Sequence, residues 1–334
     1  MSDVIRIARA AALGATPVLP AAIAALMATP AAAATSYTYT AIAFPGARQT
    51  TVSGINAGNT VAGTYTDASG ATHAFTWAAG VFTTINSPTG TSINAVGIND
   101  AGSVTGTTLD EFGFDVGYIA SNGVITTISV PSQSVVAGAI NSHGKVALSE
   151  TSYFGQVNDF TYLNGVTKTY FTTQYNATPT GINAAGSIVG NYTLIGGKQV
   201  SYLYANGTAT TLPATDALSM SANSINASGV VAGSYVSSAS SATLGFTYSN
   251  GTMTTVAEPG FTNTALTGMN AAGAVVGSAW NTGGASGFML AKGVFSQVVP
   301  PGATSVSLSG INAKGVICGN FASANGTMGF IATP

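Results

Sequence analysis

The chain has 334 residues, only 5% of them charged, and a formal net charge of -2 at pH 7. Eight Lys and Arg scattered over that length form no basic stripe to neutralise a phosphate backbone, so nucleic-acid binding is excluded. The single cysteine excludes an intrachain disulfide, and with charge far below the usual quarter of residues, solubility falls to Thr, Ser, Asn and Gly.

Residues 1–34 stand apart from the rest. Arg6 and Arg9 precede an apolar stretch from Ala10 to Met27 and a small-residue tract from Ala31 to Ala34, the pattern of a cleaved signal peptide. Pro17 and Pro20 in an Ala-rich stretch make it a poor permanent membrane helix beside a Leu-rich span of about 20 residues. The arginines are not adjacent and no lipoprotein cysteine lies at the site, so general secretion is the expected route. Cleavage after Ala34 leaves nine acids and six bases, a net of -3, and a mature chain with no membrane span.

From residue 35 to 334 one unit recurs without a linker. An Ile-Asn or Met-Asn pair, then a turn, then a Gly-rich apolar strand, appears at Ile55-Asn56, Ile98-Asn99, Ile140-Asn141, Ile182-Asn183, Ile225-Asn226, Met269-Asn270 and Ile311-Asn312. Successive pairs lie 43, 42, 42, 43, 44 and 42 residues apart, a period that suits a four-stranded propeller blade. In the fourth repeat, strand a ends at Gly181-Ile182-Asn183, strand b is Ser187 to Tyr192, strand c is Val200 to Tyr204 and strand d is Thr208 to Leu212. Asn-Gly pairs at Asn122-Gly123, Asn164-Gly165, Asn206-Gly207 and Asn250-Gly251 predict type I′ hairpins that pair c with d. The recurrent Asn stands at the entrance to every a–b turn, where its side-chain oxygen can bond the backbone two residues on, so it is read as structural. In the first of these turns Asn59 replaces glycine, as a residue that tolerates left-handed geometry.

The chain ends predict closure. The last repeat stops at Pro334 after strand c (Met328 to Ile331), whereas residues 39–56 match the d-to-a passages of later repeats: Pro45-Gly46, Pro259-Gly260 and Pro301-Gly302 each precede a second glycine by eight residues. The N-terminal strand is therefore expected to complete the C-terminal blade, removing two exposed sheet edges. The expected fold is all-β: a seven-bladed propeller of four-stranded antiparallel blades in one domain, 35–334.

Thr72-His73-Ala74-Phe75-Thr76-Trp77 and the repeated Gly-Ile-Asn-x-x-Gly-x-Val-x-Gly pattern resemble the HAF-repeat family of extracellular proteins, named for a His-Ala-Phe motif. The resemblance covers residues 39 to 334 and implies export and repeats without implying a reaction. Only the first repeat has the literal triplet; elsewhere the aromatic persists and the His does not, which argues against a catalytic His in every blade.

What breaks the repeat is where a site is sought. Five of the nine mature acids fall between residues 110 and 159: Asp110, Glu111 and Asp115 around the second b–c loop, Glu150 where other strands b carry a ring, and Asp159 opening strand c. Together they are weighed as a Ca²⁺ site, the one cofactor considered, against plain solvated loop acids; their spacing matches no twelve-residue Ca²⁺ loop. The same acids make a glycosidase-type pair conceivable, which needs a defined carboxyl separation of about 5–10 Å. No nucleophile elbow or cofactor fingerprint is present, and with His73 at the start of a strand c and His143 in an a–b turn a two-His site is not expected. Trp280, Tyr153, Phe154, Phe112 and Phe114 are read as b–c loop residues that stack on sugars or else pack between blades. Cys318 reads as a buried small apolar side chain, and the outer Thr-Thr pairs as solubilising edge residues. The favoured function is a secreted, non-enzymatic module binding an extracellular polysaccharide or protein through its b–c loops. A secreted hydrolase or lyase using the acidic patch of blades 2 and 3, and a structural envelope protein without ligand, are the alternatives.

Overall fold

The computed structural model describes residues 35–334 apart from 91, 132, 174, 175, 214, 215 and 325; the expected signal peptide lies outside the described residues. Short β-branched runs broken by Gly and Asn fold into seven four-stranded antiparallel sheets, each lettered a to d from the axis outward. Six blades are sequential, and the seventh takes its outer strand from the other end of the chain. Thr38–Ile42 pairs antiparallel with Gly326–Thr333, from Thr38 opposite Thr333 to Ile42 opposite Gly329, so the ring closes as the terminal sequences require. In the fourth blade strands b, c and d span Ile188–Thr193, Gln199–Ala205 and Thr208–Thr211, within a residue or so of the sequence reading.

The inner strands are Gln49–Ile55, Ile93–Ile98, Ser134–Ile140, Ala177–Ile182, Ala217–Ile225, Asn263–Met269 and Ser305–Ile311. Each breaks register with its strand b just before the Ile-Asn or Met-Asn pair, as between Val52 and Gly54 or Leu308 and Gly310. A bulge at that point bends the strand and increases its twist. It also releases polar side chains towards the next blade: Ser53 Oγ donates to Ala95 O at 2.6 Å, Thr180 Oγ1 to Ala222 O at 2.7 Å and Ser309 Oγ to Val52 O at 2.8 Å.

The recurrent asparagine does two jobs. Its Oδ1 accepts from backbone N–H groups two and four residues on, as from Gly58 and Thr60 to Asn56 at 3.0 and 2.9 Å, which holds the a–b turn. Its Nδ2 then donates to the backbone carbonyl of the matching Asn in the next blade: Asn56 to Asn99, Asn99 to Asn141, Asn141 to Asn183, Asn183 to Asn226, Asn270 to Asn312 and Asn312 back to Asn56, all at 3.0 to 3.2 Å. The seventh link differs, because Asn226 Nδ2 meets Met269 Sδ at 3.8 Å where every other blade offers Ile. The structural reading of this residue was right and incomplete, since the link between blades is as regular as the turn. The expected left-handed turns are present, with Asn59 at φ 63° and Asn206 and Gly207 at 52° and 82°.

Between blades the core is aromatic. Phe75, Tyr118, Tyr202, Phe246, Phe288 and Phe330 of strands c are fully buried, each contributing roughly 2–3 kcal/mol of apolar burial. The rings lie against glycine in strand b: a Cβ at Gly106 would stand 1.9 Å from Asn94 O and 2.8 Å from the Tyr118 ring, so the repeated Gly is a steric requirement. Cys318 is buried and free, its thiol pushed up to about 12 by desolvation, which fits its reading as a packing residue.

Candidate ligand-binding face

Antiparallel order puts the Asn-ring turns on one face of the disc and the b–c loops on the other. The b–c loops of blades 1 to 4 share one backbone design. The N–H of Asp67, Asp110, Ser152 or Leu194 bonds the carbonyl four residues on, and the N–H of the glycine three residues on bonds back to that first carbonyl, all between 2.8 and 3.2 Å. Those glycines, Gly70, Gly113, Gly155 and Gly197, all have φ between 78° and 99°. In blades 1 and 2 the first residue is Asp, and its Oδ1 locks the turn by accepting further N–H groups, from Phe112 and Phe114 at 2.9 Å each in the case of Asp110. A common scaffold therefore displays two tip positions per blade.

What stands at those tips differs between blades. Blade 1 has Ala68 and Ser69, while blades 2, 3 and 4 have Phe112, the pair Tyr153 and Phe154, and Ile195, with 77%, 91%, 92% and 82% of their surface exposed. Tyr153 and Phe154 meet edge to face, centroids 5.6 Å apart and planes at 86°. Phe114 is less exposed and lines a cavity of about 410 Å³ with Phe112, Val116, Val130 and Pro131. The b–c loops of blades 5 to 7 carry Ser, Ala, Thr and Gly among their described residues. Ile195 was missed by the sequence reading, which searched for rings; the aligned glycines would have revealed it.

The other expected site residues are dispersed. Trp280 is not a loop residue: it lies half-buried on strand b of blade 6, Val275–Asn281, opposite Ala285, because that strand runs on until a short Thr282-Gly283 turn. Glu111 stands exposed at the blade 2 tip beside Phe112. Asp115 lines a shallow groove with Ser92, Thr107 and Thr108 that Glu150 does not line. Glu150 accepts from Asn158 Nδ2 at 2.8 Å, on the opposite side of the blade from Asp159, since neighbouring residues of a strand face opposite ways. Among the described residues no three His, Cys, Asp or Glu side chains converge as metal ligands would.

Asp159 sits in the seam between blades 3 and 4, wholly buried, accepting from Ser149 Oγ and, at 2.6 Å, from Tyr202 OH, itself 3.3 Å from Tyr170 OH. Desolvation pushes its carboxyl up to about 6 despite those two hydrogen bonds. The same slot in other blades holds Ala74, Gly117, Ser201, Gly245, Gly287 and Gly329, all small because the site is internal. Glu258, in the connection between blades 5 and 6, is 5% exposed with Oε2 unpartnered, and burial raises it to about 7. His73 pairs with Asp67 at 2.9 Å and stacks on Tyr65, which stacks on Phe44 at 3.7 Å; Ser69 and His73 hold the Asp67 carboxyl well below its usual range. The Ser69 hydroxyl donates to the Asp67 carboxylate at 2.6 Å and not to the His73 ring, so the three side chains brace the loop. The axial channel, about 300 Å³, has no charged side chain in its lining.

Fold and face together define a seven-bladed β-propeller with one apolar sector of loop tips. No family model matches the sequence, and no curated protein matches it. Among solved structures it is similar to the β-propeller domain of the Trilobed protease from Pyrococcus furiosus, with TM-score 0.61 and 10% identity over 85% of this chain and 95% of that one. It is similar too to an acylaminoacyl peptidase from Pyrococcus horikoshii (TM-score 0.58, 11% identity, 82% of this chain and 49% of that one) and to a streptogramin B lyase (0.55, 11%, 88% and 97%). At such identities the likeness is one of fold. The P. furiosus domain is described as having an open velcro topology, whereas here the first strand is bonded into the last blade.

Proposed function

We propose that the protein is an exported, non-enzymatic binding module that holds an extended extracellular polymer, a polysaccharide before a protein, across the b–c loop tips of blades 2, 3 and 4. The observation that carries this is the contrast among four loops of one backbone design, of which three consecutive ones end in large, almost fully exposed apolar side chains. Scattered apolar exposure is ordinary, but its concentration at neighbouring tips is the mark of an interaction surface. Rings at the tips stack on the C–H faces of sugars, and Asp110 and Glu111 beside them accept from hydroxyls. Hydrolysis by an acidic pair has no comparable support, since the groove lined by Asp115 is not shared with Glu150.

Arrays of polysaccharides and extracellular proteins, probed with the chain and with the F112S/Y153S/F154S/I195S variant, test this reading. A ligand bound by the chain and lost in the variant, with melting temperature unchanged, is the expected result. Equal binding by both, or none by either, retires it. A parallel Ca²⁺ titration is read the same way: a rise in melting temperature at millimolar ion assigns a metal to the acidic loops, and none removes it from them.

A further inference from the structure

Each seam between blades is filled by one side chain from each side. From strand c of the following blade come Trp77, Ala120, Tyr162, Tyr204, Tyr248, Leu290 and Ala332, each opposite the first residue of its strand b. From strand c of the preceding blade comes the residue before that position: Thr76, Ile119, Thr161, Leu203, Thr247, Met289 and Ile331. Trp77 packs in one cluster with Cys318 and Ile331, Ile119 with Tyr162, Leu203 with Tyr248, and Met289 with Ala332, so the pairing across seams is direct. In six seams at least one member is large. Only the seam between blades 1 and 2 pairs two small residues, Thr76 and Ala120.

The structure has a cavity of about 270 Å³ at that seam. Blade 1 supplies Thr76, Thr83 and Ile85 and blade 2 supplies Val104, Ala120 and Ile125. Its inner wall is apolar, formed by Ile85, Val104, Ala120 and Ile125, and Thr76, Thr83, Asn86, Ser121 and Asn122 stand around its solvent-facing side. The fold itself shows what fits such a space, because the homologous position holds the indole of Trp77 or the phenols of Tyr162, Tyr204 and Tyr248. A ring entering the slot displaces water from the Val104, Ala120 and Ile125 wall and gains about 25 cal/mol for each Å² of apolar surface so covered.

We propose that the seam between blades 1 and 2 is a binding slot for one aromatic ring of the phenol or indole class, in the place that a tyrosine or tryptophan fills in four of the other six seams. The ring lies on Ala120, Val104 and Ile125, and its polar substituent points outward to the threonine hydroxyls. This site is separate from the b–c loop tips and does not depend on them.

The probe is p-cresol, the tyrosine side chain as a free molecule, titrated into the full chain and followed by saturation-transfer NMR and melting temperature. Saturable binding with a rise in melting temperature is expected. Ala120→Tyr, which supplies the ring from within, is expected to weaken p-cresol binding at least tenfold and to raise the melting temperature of the free protein. Thr76→Ile, which copies Ile331 and fills the slot from the other wall, weakens binding as well and serves if Ala120→Tyr fails to fold. p-Cresol that binds either folded variant as it binds the parent, or that leaves the parent's melting temperature and NMR signals unchanged at millimolar concentration, overturns the proposal.

Discussion

The two faces of the disc are built from the same repeat and have diverged to opposite degrees. On the a–b face seven turns carry the same asparagine in the same geometry, and six of seven are bonded to the next. On the b–c face four loops share a backbone but not their tips, and the remaining loops depart from that backbone as well. The difference is one of constraint. A group that must meet its own copy in the neighbouring blade cannot vary alone, whereas a loop tip that meets only water is free to acquire a ring, a carboxylate or nothing.

The largest expected effect on this comparison comes from cutting the ring. Removing residues 35–42 strips strand d from blade 7, exposes the edge of Gly326–Thr333 and takes Ile42, which is 1% exposed, out of its cluster with Val52, Val316 and Ile331. Loss of a single cooperative thermal transition, read by calorimetry, is expected. A deletion variant that melts like the parent would show that closure does not hold the disc together.

Next in size is Asn183→Ala. It removes the bond from Ser187 N–H to Oδ1 at 2.9 Å and the bond from Nδ2 to Asn226 O at 3.1 Å, leaving the half-buried Ser187 N–H unpaired and Asn226 O with only the Gly229 N–H. A loss of about 2–3 kcal/mol in denaturant unfolding is expected. Phe154→Ser on the opposite face is expected to stay within about 0.5 kcal/mol of the parent. Equal losses at the two positions would erase the contrast between the faces.

A third effect is set by pH. Asp159 and Glu258 titrate near 6 and 7 in the fold, above their ordinary 3.8 and 4.5. As pH rises through that window the unfolded chain ionises first, so stability is highest in mild acid and falls towards neutrality. Asp159 alone accounts for roughly 2–3 kcal/mol. Asp67, held low, acts in the opposite sense, but its contribution is lost only as pH falls below about 4. The melting temperature at pH 4.5 is expected to exceed that at pH 7.5, and Asp159→Asn to flatten the dependence; a rising curve would contradict the burial of both groups.

The smallest effect concerns one c–d hairpin. Ala79 takes φ 47° where four other blades place Asn at φ 48° to 52°. Ala79→Asn is expected to stabilise by roughly 0.5–1 kcal/mol in the same unfolding assay.

Much of this was legible beforehand because the governing rules are local. Asn206-Gly207 and its counterparts announce their hairpins, and the eight-residue step from Pro45-Gly46 to Gly54 matches later blades closely enough to place the first strand in the last blade. Where reading failed, the missing quantity was a side chain's direction or partner. Asp159 looks like a loop acid until its opposite residue, Ser149, is known to face the next seam, and Trp280 looks like a loop residue until strand b of blade 6 is seen to run on through it.

The amino-acid order alone determined the period, the number of blades, the turn chemistry and the joining of the two ends, since each depends on residues near one another or on exact repetition. Only the folded ring decided which asparagine amide reaches which carbonyl, which acid is buried, and that two modest residues, Thr76 and Ala120, face each other across an open slot. Those are contacts between blades some 42 to 44 residues apart, and their outcome depends on the pair that meets, which neither member encodes by itself.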